Sequence, residues 1–249
     1  MKFWKAWVIA KKDLSILKRR KALVGLIIAL PLALGIALPS LTYYLMIRRN
    51  IPSSTATELL ASFAFFFMII AALLPLYISS YSLVGEKIEK SLESLLVTPV
   101  TDGEILIGKY IGAFLPMIIS IYFGEIVFMA LADFLTFTKL GYLFYPNWSF
   151  GIAMFIGTPL AIIYGISFSV LVSSKVNSVQ SAYQIGATSL LPFYALYVMG
   201  EINLISLTSS TNILLISAGL LIAVVILYFV SKKTFNREKI IMEWKWINI

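Results

Sequence analysis

The run ALVGLIIALPLALGIALPSLTYYLMI, residues 22–47, holds no charged side chain, and it is bracketed by Lys18, Arg19, Arg20 and Lys21 before it and by Arg48 and Arg49 after it. At about 1.5 Å per residue, a helix of this length outreaches the ~30 Å hydrocarbon layer of a bilayer. The run is too long for the apolar core of a signal peptide, and the charged stretch before it is too long for the leading segment of one. It is expected to remain as a membrane span.

Five more runs of the same kind lie near residues 59–83, 106–132, 148–173, 179–199 and 211–231. The chain is therefore expected to be all-α, a polytopic membrane protein with six transmembrane helices. Composition agrees. Hydrophobic residues make up 60% of the 249 and charged residues 13%, with a mean hydropathy of +0.92, whereas a soluble domain runs at about half apolar and a quarter charged. A disordered chain is excluded, and the proportions argue against a water-soluble enzyme. There is no Cys and no His, which removes disulfides, thiolate and imidazole metal ligands, and every triad built on an imidazole base. No catalytic residue and no metal site are expected.

Charge sets the direction of threading. Of the 20 Lys and Arg, 17 fall before the first run, in the 84–109 connection, at Lys175 or after the last run; Arg48, Arg49 and Lys139 are left for the opposite side. By the positive-inside rule both termini are cytoplasmic. The net charge of +8 thus reflects topology, and no nucleic acid is expected as a partner. Tyr43, Tyr44, Tyr142, Tyr145 and Trp148 stand near the outer boundary, either as interfacial anchors or as packing residues. Residues 1–21 form a segment of their own. Phe3, Trp7, Ala10, Leu14 and Leu17 recur at helical spacing while the lysines lie mostly elsewhere, which predicts an amphipathic interfacial helix along cytoplasmic lipid headgroups. Residues 22–231 are the transmembrane domain, 84–105 its cytoplasmic loop, and 232–249 a basic cytoplasmic tail.

The loop and the helix start that follows it, GEKIEKSLESLLVTPVTDGEILIGK at 85–109, are the most informative soluble stretch. Glu86, Glu89 and Glu93 share one helical face and Ile88, Leu92, Leu95 and Leu96 another, so a short amphipathic helix is predicted, stopped at Pro99. A new helix starts at once: Thr101 and Glu104 have the spacing of a capping box, and Val100 and Ile105 that of a hydrophobic staple. Five acids against two lysines in 85–104 make the loop acidic beneath an otherwise basic face. That suits contact with another protein better than contact with anionic lipid. Gly103, Gly108 and Lys109 mimic a phosphate-binding loop, but Tyr110 stands where a Ser or Thr is needed and no strand precedes. Lys109 is read instead as snorkelling at the inner rim.

This segment resembles the cytoplasmic signature between the second and third spans of type 2 ATP-binding-cassette (ABC) permeases, whose form is like E-K-E-x-G-T-L-E-x-L-L-x-T-P followed by an acidic residue and G-K. Glu86, Lys87, Leu92, Glu93, Leu95, Leu96, Thr98, Pro99, Glu104, Gly108 and Lys109 fit it; Ile88, Lys90 and Ser91 depart from it. The resemblance implies the membrane-spanning subunit of an exporter, with ATP and Mg bound by a separate ATPase subunit and no cofactor bound by this chain. It also implies a second permease subunit, identical or related, in the cell membrane. Glu86, Lys87, Glu89, Leu92, Glu93, Leu95, Leu96, Thr98 and Pro99 would couple to the ATPase.

Within the spans, Glu125 is the one deep ionisable residue, serving either substrate contact and gating or a hydrogen bond to a neighbouring helix. Gln180, Gln184 and Thr188 form a polar stripe that either bonds between helices or lines the translocation pathway. Gly157, Ala161, Gly165 and Ser169, at intervals of four, read as helix packing within a subunit or between two, and Gly108 with Gly112 likewise. Pro159 and Pro192 are expected to kink their helices. An ion-coupled secondary transporter using Glu125 is the rival reading; a membrane enzyme would have little to catalyse with.

Overall fold

The computed structural model describes residues 3–88, 100–176, 178–202 and 204–234. Every regular element in them is helical. Helix α1 covers Phe3–Arg19, α2 Lys21–Arg48, α3 Ser53–Ile88 and α4 Asp102–Leu140. Helix α5, Trp148–Ile152, passes through a π-turn, Ala153–Gly157, into α6, Thr158–Lys175. Helix α7, Val179–Gly186, passes through a 3₁₀ turn, Ala187–Leu190, into α8, Leu191–Glu201, and α9 is Ser210–Thr234. Among the described residues five helices are long and apolar enough to cross a membrane: α2, α3, α4, the α5–α6 rod and α9. The chain is a polytopic membrane protein. The run at 179–199, expected as a fifth span kinked at Pro192, is divided by its 3₁₀ turn into two short helices.

Each irregular turn ends one residue short of a proline, with Thr158 before Pro159 and Leu191 before Pro192, for the same physical reason. Pro159 has no N–H to return to the carbonyl four residues back, and its ring crowds that carbonyl. The helix widens: the Thr158 N–H reaches back five residues to the Ala153 carbonyl. Pro192 acts the other way. The Thr188 carbonyl, denied its partner at 192, accepts from the Leu191 N–H three residues on, and the helix tightens. Inside α2, Pro31 frees the Ile27 carbonyl, and Ser120 of α4 donates its hydroxyl to it at 2.7 Å. This cross-helix cap satisfies a group that has no water to turn to.

Helix α3 is the centre of the bundle. In the most apolar stretch of α3, 78% of residues are buried, against 22% in α2 and in α9. The α3–α6 and α2–α4 seams are closed by small residues. A Cβ on Gly165 would run into the Ala72 carbonyl of α3, and one on Gly157 would meet Met68. Ala161 and Ser169 are fully buried on the same stripe, so the stripe packs inside one subunit. Gly35 of α2 and Gly124 of α4 likewise admit backbone against backbone, the missing Cβ atoms lying 2.6 Å from the Gly124 carbonyl oxygen and 2.7 Å from the Pro31 Cβ.

At the end remote from α1, aromatic rings lock the core. Phe128 stacks on Phe150 at 5.6 Å and meets Phe67 and Tyr145 edge-on. Tyr145 is buried and donates its hydroxyl to the Leu60 carbonyl at 2.8 Å, so it is a packing residue, while Tyr44, Tyr142 and Trp148 are exposed. The turn that carries Tyr145 begins at Gly141, whose φ of 76° ends α4 in the left-handed region that a glycine enters freely. Asp133 then holds the turn, its Oδ1 accepting the Phe144 and Tyr145 N–H groups at 2.9 and 3.1 Å.

Candidate functional site

Among the described residues, polar chemistry gathers at the junction of α1 with the start of α4, at the carboxyl of Glu125 and along the outer face of α7–α8, among other places.

The junction is built from the capping box outward. Thr101 accepts the Glu104 N–H at 3.3 Å and Glu104 accepts the Thr101 N–H at 3.0 Å, which fixes where α4 begins. The stretch that mimics a phosphate loop is thus the first turns of a helix. Helix α1 lies across those turns. Ala6, Ile9, Ala10 and Leu17 are buried, and a Cβ on Gly108 would stand 2.7 Å from the Ala6 carbonyl oxygen and 2.8 Å from the Ile9 Cβ. One on Gly112 would press on Asp13. Lys109 does not snorkel: its side chain is 3% exposed and its Nζ lies 3.6 Å from Asp13, which is 9% exposed. The lysine stays inside because α1 supplies a carboxylate within reach, which a charge so far from water requires. Phe3, Trp4, Trp7 and Val8 remain exposed. The stripe of large residues seen in the sequence is therefore not the stripe that docks, although Ala10 and Leu17 belong to both.

The coupling residues fall at the edge of what is described. Glu86 and Lys87 lie in the last turn of α3, while Glu89, Leu92, Glu93, Leu95, Leu96, Thr98 and Pro99 lie outside the described residues. Helix α3 runs without a break to Ile88, so the loop is reached by a direct extension of a span.

Glu125 is 1% exposed. Its Oε1 accepts the Thr158 hydroxyl at 2.7 Å, and its Oε2 has no partner among the described residues. Thr158 is the residue whose backbone closes the π-turn, so the carboxyl is tied to the irregular point of the neighbouring rod. The sequence offers no signal for this pairing, because 33 positions separate the two residues. Glu125 follows Gly124 in the chain, faces the α5–α6 rod and is enclosed within one subunit.

The α7–α8 segment lies along α3. Tyr183 donates to the Tyr77 carbonyl at 3.2 Å, and the Phe66 and Tyr197 rings meet at 5.2 Å. Gln180, Gln184 and Thr188 all lie on the exposed side; Thr188 donates to the Ile185 carbonyl within its own turn. None of the three bonds α3. At the remote end of the α3–α8 contact, Thr55, Glu58 and Ser62 of α3 face Ser206 and Thr208 across a cavity of about 320 Å³. Glu58 belongs to no apolar period and no motif, so sequence reasoning passed over it.

Long apolar rods, irregular turns at prolines and a stiff helical junction on one face define a polytopic membrane subunit of transporter type. The profile of the ABC-2 family transporter proteins matches residues 7–231, and the chain belongs to that family. It is similar, at 34% identity over 179 residues, to a probable ABC transporter permease protein, NosY, of Stutzerimonas stutzeri. The match covers 71% of this chain and 62% of that relative, less than two thirds of the relative's length. The family is one of membrane subunits without an ATPase domain, and in it ATP is bound by a partner ATPase subunit.

Proposed function

We propose that this chain is the permease subunit of an exporter, with both termini and the 84–105 loop in the cytoplasm. A separate ATPase grips that loop. In this reading the α7–3₁₀–α8 segment is the broken fifth of six crossings. The single observation that carries the proposal is the α1–α4 junction. A helix seated on Gly108 and Gly112 and tied through a buried Lys109–Asp13 pair makes one stiff block. The block includes the start of α4, to which the coupling residues Glu89, Leu92, Glu93, Leu95, Leu96, Thr98 and Pro99 lead in the sequence, and Glu86 and Lys87 lie in the last turn of α3 at the other end of that loop. Force applied there enters two spans at once. Rigid-body rocking between inward and outward states follows from such a linkage, because packed seams do not deform continuously.

A second subunit, identical or related, completes the pathway. The exposed polar side of α7, with Gln180 and Gln184, continued by Thr188 in the 3₁₀ turn, supports placing the pathway against that partner, since side-chain amides on a lipid-facing surface would lack donors and acceptors. Glu125 supports the pathway from behind, by holding the π-turn through Thr158. The deciding experiment is reconstitution with the cognate ATPase. Glu93→Lys with Leu96→Asp is expected to abolish transport-linked ATP hydrolysis while the protein still inserts. Full stimulation of the ATPase by that variant would overturn the coupling role.

A further inference from the structure

Helix α4 carries its apolar run as far as Ala132, and the next residue is Asp133. The carboxylate therefore stands near the expected outer end of the span, on a helix that continues to Leu140. It lines a cavity of about 670 Å³ between the ends of α2 and α4 and the 141–147 turn, together with Tyr43, Phe134, Phe137, Thr138 and Leu143. Phe134, Phe137 and Leu143 are largely exposed. The lining has one anion, three aromatic rings, apolar surface and no cation. Aromatic faces and a carboxylate both attract an ammonium group, and apolar walls accept acyl chain. The carboxylate is also held in place: Oδ1 accepts two backbone N–H groups, and no described residue bonds Oδ2.

We propose that this crevice is a binding site for a bilayer phospholipid whose headgroup carries an ammonium, in the leaflet at the end remote from α1. The ammonium meets Asp133 among Tyr43, Phe134 and Phe137, and an acyl chain lies along Leu143 and the exposed side of α4. A headgroup that is anionic without an ammonium is disfavoured, because the lining offers it only a carboxylate. The inference rests on the chain spanning a membrane and is independent of what it transports.

The test uses the full chain purified from nanodiscs of equimolar phosphatidylethanolamine and phosphatidylglycerol with identical acyl chains, with the retained lipids read by native mass spectrometry. The wild-type protein is expected to keep the ethanolamine lipid about fivefold over the glycerol lipid, the scale of a partly exposed ion pair assisted by aromatic rings. Asp133→Asn keeps an oxygen for the Phe144 and Tyr145 N–H groups and removes the charge; its ratio should fall to near one with the thermal midpoint unchanged. Tyr43→Leu with Phe137→Leu leaves the pinned turn alone and should also lower the ratio, so the proposal stays testable if Asp133→Asn misfolds. A wild-type ratio of one, or an unchanged ratio in both variants, overturns the site.

Discussion

The α3–α6 seam and the α7–α8 segment are both helix against α3, and they are made in opposite ways. In the seam, Gly157, Ala161, Gly165 and Ser169 remove side chain so that two rods close to backbone contact, and Ala161 and Ser169 are fully buried. In α7–α8 the contact is made by ring edges and one tyrosine hydroxyl, the helix is interrupted, and the polar stripe faces away. The contrast separates what is packed to be fixed from what is left to meet something else. Small residues give a seam one arrangement, because a dense interface has no room for a second.

The largest blow to this contrast is at Gly165. Gly165→Leu forces a side chain into the Ala72 carbonyl, and a loss of roughly 3 kcal/mol or more is expected, at the upper end of overpacking costs. Thermal unfolding in detergent and yield of inserted protein read it; a midpoint equal to wild type would mean that the seam is not rigid. Next comes Thr158→Val, which removes the donor to Glu125 and leaves the carboxyl without it. About 1–3 kcal/mol is expected from such a deletion, measured as a shift in the unfolding midpoint. Glu125→Gln keeps a hydrogen-bonding side chain and is expected to change transport in reconstituted vesicles more than assembly; unchanged transport would make the Glu125–Thr158 bond purely structural. The smallest stability effect is expected on the open side. Gln180→Leu with Gln184→Leu should stay within about 0.5 kcal/mol of wild type while altering substrate-stimulated ATP hydrolysis. If the pair destabilises the subunit as much as Gly165→Leu, the two regions do not differ in kind.

Local features of the sequence were legible and remote pairings were not. Thr101 and Glu104 announce their capping box because the whole device lies within four residues. Pro159 and Pro192 announce a break for the same reason, although whether the helix widens or tightens depends on neighbours that the sequence does not place. The six apolar runs locate the helices but not all their ends: α3 begins at Ser53 and reaches Ile88, beyond the run at 59–83, and α4 continues to Leu140, beyond the run ending at 132; the divided run at 179–199 looks continuous when only hydropathy is read. The face by which α1 packs on α4 was not legible, because it is made of alanines, with Ile9 and Leu17. The eye follows Phe3 and Trp7, which the structure leaves exposed. Lys109 looked like a rim lysine because its counter-charge, Asp13, comes from another helix nearly a hundred positions away. Glu125 was legible as costly, and its partner was not.

The crossing of α2 over α4 bears on what can move. With Gly35, Gly124 and Pro31 in mutual contact, and the Ser120 hydroxyl plugging the gap that Pro31 opens, there is no clearance for one rod to slide or swivel on the other. The two travel as a welded strut. Any opening must then be sought at the borders of that strut, where it abuts α3, and not through its middle.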